Sequence, residues 1–316
     1  MTNGERLRDS IYAVAPNGMT GFLKFGVAVW RLDFDRVREL CVCCEKMGYD
    51  FFFYGEGLGP ECFTTLSALA TETKRIRLGP GITFLTYRHP VLLAKIAATL
   101  DRISEGRLEI RLGAGAAPGY GVARPDAKVR FKQLKEGLEI INGLLVNGSS
   151  NVAGESFSVK DAVCDVRPVQ TPHPPITIAA RQARMLELVA TYGDVWEGFF
   201  PPTVYRERMH VLKGFCDAVQ RGSNEVAKAV MLRVFIGRSQ DQANQVMNSY
   251  VRAVGVRRAR MEMLKERDAV GDPQSCLNRL DEYVGMGVTR FTLLFPSVDH
   301  FDELELFADE VMSKMR

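Results

Sequence analysis

Along the chain, short apolar runs alternate with longer segments in which apolar residues recur every three or four positions. KFGVAVW (24–30) reads as a buried strand, and FDRVRELCVCCEKMG (34–48) as an amphipathic helix that ends at a glycine. The cycle repeats with strands over 49–56, 76–84 and 107–115 and helices over 62–73, 90–104 and 131–148. Residues 149–175 break the rhythm, because short alternating segments and prolines there predict an extended or hairpin insertion. Strands over 176–180, 194–200, 229–237 and 289–295 follow, with helices over 183–193, 203–220 and 272–287 and a terminal helix from Asp302. Three joins, EKMGYDFFF, ATYGDVWEGFF and VGMGVTRFTLLF, share one punctuation, a helix closed by glycine before an apolar strand.

Eight strands, each followed by a helix, imply a parallel sheet, and this number of units predicts an α/β fold of the single (β/α)8 TIM barrel type. The barrel is expected over 21–316, after an N-terminal extension (1–20), with insertions near 149–175 and 249–271. Chemistry then belongs at the C-terminal strand ends. These carry Trp30 and Arg31, Glu56, Thr83 to His89, Gly113 to Ala117, Ala180 to Arg184, Glu197, and Phe295 to Ser297. One strand end is unusual. In LGPGITF, Gly79, Pro80 and Gly81 are poor strand residues placed just before good ones, which predicts a bulge.

Composition narrows the class. The chain of 316 residues is 46% hydrophobic and 25% charged, with a net charge of +3, which argues against nucleic acid or an anionic membrane as partner. The basic run 251–267 has helical spacing and reads as a solvated helix face. No stretch of about 18 apolar residues and no apolar leader core is present, so a cytoplasmic protein is expected. The seven cysteines are odd in number and irregularly spaced, as reduced thiols are, and CVCC (41–44) would put Cys41 and Cys44 on one helix face as packing residues. The four histidines show no metal-ligand spacing.

GAGAAPGYG (113–121) has the wrong glycine spacing for a dinucleotide fingerprint; its glycines permit either a plain turn or close backbone approach to a flat or phosphorylated ligand. Glu56 and Glu197 lie at strand ends in apolar runs, FFFYGE and VWEGFF, which suit either a general acid-base group or an ion pair at the rim. Glu109 and Arg111, two apart in the fourth strand, face the same way and read as a buried structural pair, while Trp30 and Tyr87 are candidates to line a pocket.

The run RLGPGITFLTYRHPVLLAKIAATLDRISEGRLEIRLGAG (77–115) resembles the bacterial luciferase-like monooxygenase superfamily, in particular its coenzyme F420-dependent branch, which includes methylenetetrahydromethanopterin reductase. GDPQSCLNRLDEYVGMGVTRFTLLF (271–295) is similar to the C-terminal unit of that family. The resemblance implies a tricyclic ring in the barrel mouth that passes hydride to or from a small organic substrate, and a homodimer. It further implies that Gly81 and Ile82, joined by a cis peptide bond, form the support behind the ring, that Thr83 lies beside it, and that Gly113, Ala114 and Gly115 pass close by. Ala180, Arg181 and Arg184 stand where relatives hold cofactor phosphate on glycine-containing turns, so here either cations replace the backbone cradle or the arginines are a solvated pair. Ala28 stands in place of a first-strand acid, and Gly55, Glu56 and Gly57 in place of an Asp-His pair, so pterin contacts do not carry over. Three functions remain: an F420-dependent oxidoreductase, an oxygen-using monooxygenase fed with reduced flavin mononucleotide (FMN), or a non-catalytic flavin-binding member of the family.

Overall fold

The protein was studied as a computed structural model, which describes residues 23–115, 124–255, 258–296 and 301–316; the expected extension 1–20 lies outside the described residues. The barrel strands are β1 (Lys24–Val29), β2 (Phe51–Tyr54), β3 (Arg77–Pro80), β4 (Ile110–Gly113), β7 (Ile176–Ala179), β8 (Val195–Gly198), β9 (Ala227–Ile236) and β11 (Arg290–Leu294). They pair in parallel in the order β3-β2-β1-β11-β9-β8-β7-β4, and bridges from Leu78 to Leu108 and from Thr83 to Leu112 join the two ends. The result is the expected (β/α)8 barrel.

Its outer layer is α1 (Phe34–Lys46), α2 (Cys62–Glu72), α3 (Pro90–Ile103), α4 (Ala127–Asn147), α5 (Met185–Tyr192), α6 (Pro202–Ala218), α7 (Gln240–Val254), α8 (Arg258–Arg267), α9 (Pro273–Val284) and α10 (Asp302–Phe307). Asp33, Asp126 and Asp272 cap the starts of α1, α4 and α9, their carboxylates accepting from the amides three residues on. The Asp126 cap extends α4 four residues upstream of the predicted start at 131. On α1, Cys41 and Cys44 are fully buried and Cys43 half-buried, as packing residues would be.

The insertion at 149–175 is a hairpin, β5 (Ser149–Ala153) against β6 (Ser158–Val163). The second expected insertion starts earlier than 249, since α7 runs from Gln240, and it ends in a short strand, β10 (Ala269–Gly271), paired with the upper end of β9. Among the described residues no helix is long and apolar enough to cross a membrane.

Between strands and helices the core is apolar, but the barrel interior is not. Phe51, Phe53, Ala28 and Leu294 form a small apolar cluster, and beside it stand Glu109, Arg111, Glu197 and Arg290, all buried. Glu109 and Arg111 are not primarily each other's partners, being 3.9 Å apart at Nε and Oε1. Arg290 instead binds Glu109 and Arg111 binds Glu197. Thr177 donates to Glu109 (2.7 Å) and Thr292 to Glu197 (2.6 Å). The Arg111 guanidinium lies 3.5 Å from the centre of the Phe53 ring, and that of Arg290 lies 4.3 Å from Phe51. Burial alone would raise the Glu109 carboxyl, yet Arg290 and Arg111 outweigh it and hold the group below the usual carboxylate range.

On α10, burial and then the neighbouring Asp302 push the Glu303 carboxyl up to about 7. A folded value above the unfolded one gives stability that is complete below the ordinary carboxylate range and is lost as pH rises through about 7. Glu303→Gln should remove that loss. Thermal melts at pH 5 and pH 8 should show the variant gaining on the wild type by about 2 °C, a small shift because the side chain is partly exposed. Parallel melting behaviour at the two pH values would contradict this origin of the shift.

Candidate active site

The strand ends meet around a mouth with two different sides. On one side, β3 takes an extra residue: Leu78 to Thr83 is five positions while their bridge partners, Leu108 to Leu112, are four apart. The predicted bulge is there, at Gly79, Pro80, Gly81 and Ile82, and the Gly81–Ile82 peptide bond is cis, as the resemblance implies. Gly81 N donates to Tyr54 O (2.8 Å) and Thr83 N to Arg111 O (3.0 Å), which anchors both flanks of the bulge to neighbouring strands. The glycines of β4 face this segment. A Cβ on Gly113 would lie 2.4 Å from Ile82 Cδ1 and one on Gly115 2.6 Å from Phe84 Cε1, so both are small because the bulge packs on them. The run 116–121 lies outside the described residues.

Thr83 is fully buried and its hydroxyl is committed to the protein, donating to Glu56 Oε2 (2.8 Å) and accepting from Arg88 Nη1 (3.3 Å). Glu56 itself is gripped by Arg88 through both oxygens, the Nη2 to Oε1 distance being 3.2 Å, and Arg88 also pairs with Glu61 at the start of α2. Of the two readings the sequence left open for Glu56, the ion pair is the one present: FFFYGE is apolar along the chain, but a guanidinium 32 residues away compensates the carboxylate. Glu197 is likewise compensated by Arg111. Neither is a solitary carboxyl in an apolar pocket. Cys62 touches Glu56 (3.7 Å), and burial followed by that carboxylate pushes its thiol far up, so it is no thiolate nucleophile. His89 caps α3, its Nδ1 accepting from Val91 N (3.3 Å).

The β7 end carries Ala180, buried, with its carbonyl accepting from Trp196 Nε1 (3.2 Å). Arg181 and Arg184 are both exposed, and the Arg184 guanidinium lies 4.1 Å from the centre of the Phe131 ring. The two differ in that Arg184 rests on the Phe131 ring.

The other side of the mouth is a cavity of about 520 Å³, bounded by Trp30, Phe199, Met231, Arg233, Tyr250 and Phe295 and floored by Ala28 and Leu294. That volume is typical of small-molecule sites. Trp30 packs against Gly55, where a Cβ would come within 1.7 Å of the indole Cδ1. Gly55→Ala should therefore displace the indole and reshape the cavity wall, read as a shift in the emission of Trp30 against that of the buried Trp196. Unchanged emission would mean that the indole is not held there.

Neither Arg233 nor Tyr250 carried a signal in the sequence: Arg233 reads only as a position in the strand over 229–237, and Tyr250 as part of the insertion over 249–271. A second cavity, about 440 Å³, lies at the opposite end of the barrel and is lined by Lys24, Asp50, Arg77, Arg107 and Arg290. Its polar groups are already engaged: Lys24 with Asp50 at 3.0 Å, Arg77 with Gln170 at 2.8 Å, and Arg107 with Ile76 O at 2.9 Å. It joins strand starts together and is not the reactive end.

The model of the luciferase-like monooxygenase family matches residues 19–290. The chain belongs to that family. A curated relative, the F420-dependent glucose-6-phosphate dehydrogenase of Microbacterium testaceum, is 26% identical over 337 positions that cover 94% of this chain and 99% of the relative. The oxygenase component of the flavin-dependent trigonelline monooxygenase of Acinetobacter baylyi is 31% identical over 51% of this chain and 47% of its own length. Among solved structures, the coenzyme F420-dependent tetrahydromethanopterin reductase of Methanopyrus kandleri superposes with a TM-score of 0.80 at 19% identity, covering 94% of this chain and 100% of that one. This luciferase-like protein thus shares a whole-barrel fold with its solved neighbour, and its Arg233 lines the cavity at the C-terminal strand ends.

Proposed function

We propose that the protein is a coenzyme F420-dependent oxidoreductase that exchanges hydride with a small organic substrate in the barrel mouth. The observation that carries the reading is the bulge at the end of β3, held by Tyr54 O and Arg111 O, which faces an aromatic cavity across the mouth. A mouth with a backbone wall on one side and about 520 Å³ of largely apolar space on the other fits a flat ring. Bound there, the deazaflavin supplies two-electron chemistry.

The chain's own residues do the rest. Gly81, Ile82 and Thr83 form the rigid support, Gly113, Ala114 and Gly115 provide the adjoining backbone, and Ala180, Arg181 and Arg184 receive the anionic tail. Glu56, through Thr83 and Arg88, keeps the support in place, and Glu197, through Arg111 and Thr292, fixes the floor beneath it. In this reading both carboxylates position other groups and do not themselves exchange protons with substrate. The 26% identical relative named for F420 dependence spans the whole chain and supports the cofactor. The relative named as a monooxygenase favours reduced FMN as the second reading, over half of the chain. A homodimer is part of the proposal on the family resemblance alone.

Replacing Arg181 and Arg184 together by alanine should weaken deazaflavin binding about tenfold or more and flatten its salt dependence, with Arg181 responsible for most of the loss. Fluorescence titration at two salt concentrations measures this. Unchanged affinity in the double variant would remove both arginines from the site.

A further inference from the structure

We propose that the aromatic cavity binds an uncharged, largely apolar carbonyl or alcohol compound and grips its single oxygen with the Tyr250 hydroxyl, which Arg233 holds in place. This inference rests on the cofactor reading above for the reaction, but not for the binding. Cavity and bulge occupy different arcs of the barrel: the cavity belongs to β1, β8, β9 and β11, while the bulge and its neighbours belong to β3, β4 and β7. Substrate and cofactor therefore have separate walls that face each other.

The chemistry of the lining selects the ligand. Trp30, Phe199, Met231, Leu294, Phe295 and Pro296 offer apolar surface and no hydrogen-bonding group except the indole N–H. Arg233 is the one cation among the described lining residues, and it is already tied down. Its Nη1 faces Asp268 at 3.6 Å, its own backbone N donates to Asp268 Oδ1 (3.0 Å), and its guanidinium lies 5.2 Å from the Phe199 ring centre and 5.6 Å from that of Tyr250. Asp268 is in turn bound by both Nε (2.7 Å) and Nη2 (2.6 Å) of Arg267. A phosphate dianion would need several uncommitted cations or amides to replace its water, and a sugar would need a polar group for each hydroxyl. The described lining provides neither.

It does provide one directed donor. Arg233 Nε donates to the Tyr250 oxygen (3.0 Å), so that oxygen is used as an acceptor; among the described residues, the hydroxyl proton goes to no protein group. Tyr250 therefore keeps its O–H for a ligand oxygen, and Arg233 strengthens that donor by polarising it. A ketone or secondary alcohol carried on an aromatic or alicyclic frame matches a slot whose side-chain donors to a ligand are the Tyr250 hydroxyl and the Trp30 indole N–H and whose walls are aromatic.

The test uses the full chain with acetophenone and glucose 6-phosphate as probes, with and without deazaflavin. Binding is read from the Trp30 indole N–H signal in NMR titrations. Acetophenone is expected to shift that signal and saturate; Tyr250→Phe, which keeps the ring, should weaken it about tenfold while deazaflavin affinity stays within about twofold. Glucose 6-phosphate should neither shift the signal nor displace acetophenone. The proposal is overturned if glucose 6-phosphate displaces acetophenone, if acetophenone fails to bind in both states, or if Tyr250→Phe binds it as tightly as the wild type does. Tyr250-dependent acetophenone binding in a protein that binds no deazaflavin would support the pocket and sink the cofactor reading instead.

Discussion

Glu109→Gln is expected to cost about 3–5 kcal/mol of folding stability, among the largest effects of any single substitution in the chain. Glu109 is buried inside the barrel with Arg290 bound to one oxygen and Arg111 nearby, and the substitution leaves Arg290 without its compensating charge and Arg111 with Glu197 alone. Their stacking on Phe51 and Phe53 offsets only part of that loss. Replacing Glu109 and Arg290 together by leucine and methionine should restore most of it, because the cost lies in the unpaired charge and not in losing the pair. Because the two guanidiniums hold the Glu109 carboxyl below its ordinary range, its stabilising effect is complete above that range and is lost as pH falls through the lowered value. Denaturant titrations of wild type and variants at pH 7 and pH 4 should thus converge toward acid. An unaltered midpoint for Glu109→Gln at pH 7 would show that the interior network does not support the barrel.

A second large effect is expected at the rim. Arg88→Ala should destabilise the protein by about 3 kcal/mol, since it takes from Glu56, whose side chain is 1% exposed, the guanidinium that grips both carboxylate oxygens. Glu56→Gln should be milder, and the double variant much less harmful than the sum, with a coupling energy of about 2 kcal/mol in a double-mutant cycle. Additive losses would mean that the two groups act independently. The same cycle should show deazaflavin affinity falling when Arg88 is lost, because Thr83 next to the bulge then loses one partner directly and the other, Glu56, loses its anchor.

What the sequence made legible were features written locally. Apolar periodicity and glycine punctuation revealed the eight strand-helix units, and Gly79-Pro80-Gly81 betrayed the bulge because those residues resist a regular ladder. Pairings across the barrel were hidden. Glu56 meets Arg88 across 32 residues, Arg111 meets Glu197 across 86, and Glu109 meets Arg290 across 181, so no window of sequence contains both partners. Glu109 and Arg111 read as partners because they share a strand face, but β11 and β8, which do not pair with β4, bring a closer group to each across the barrel interior. Tyr250 was invisible for another reason: α7 is a surface helix with few buried residues, and nothing in its pattern separates a residue over the barrel mouth from one in solvent.

The central claim is that this mouth is built for a deazaflavin. Parallel fluorescence titrations of the purified protein with coenzyme F420 and with FMN test it most directly. The account predicts saturable binding of F420, at least tenfold tighter than that of FMN and sensitive to salt. Tighter binding of FMN would hand the site to a flavin monooxygenase, and binding of neither would contradict the account outright.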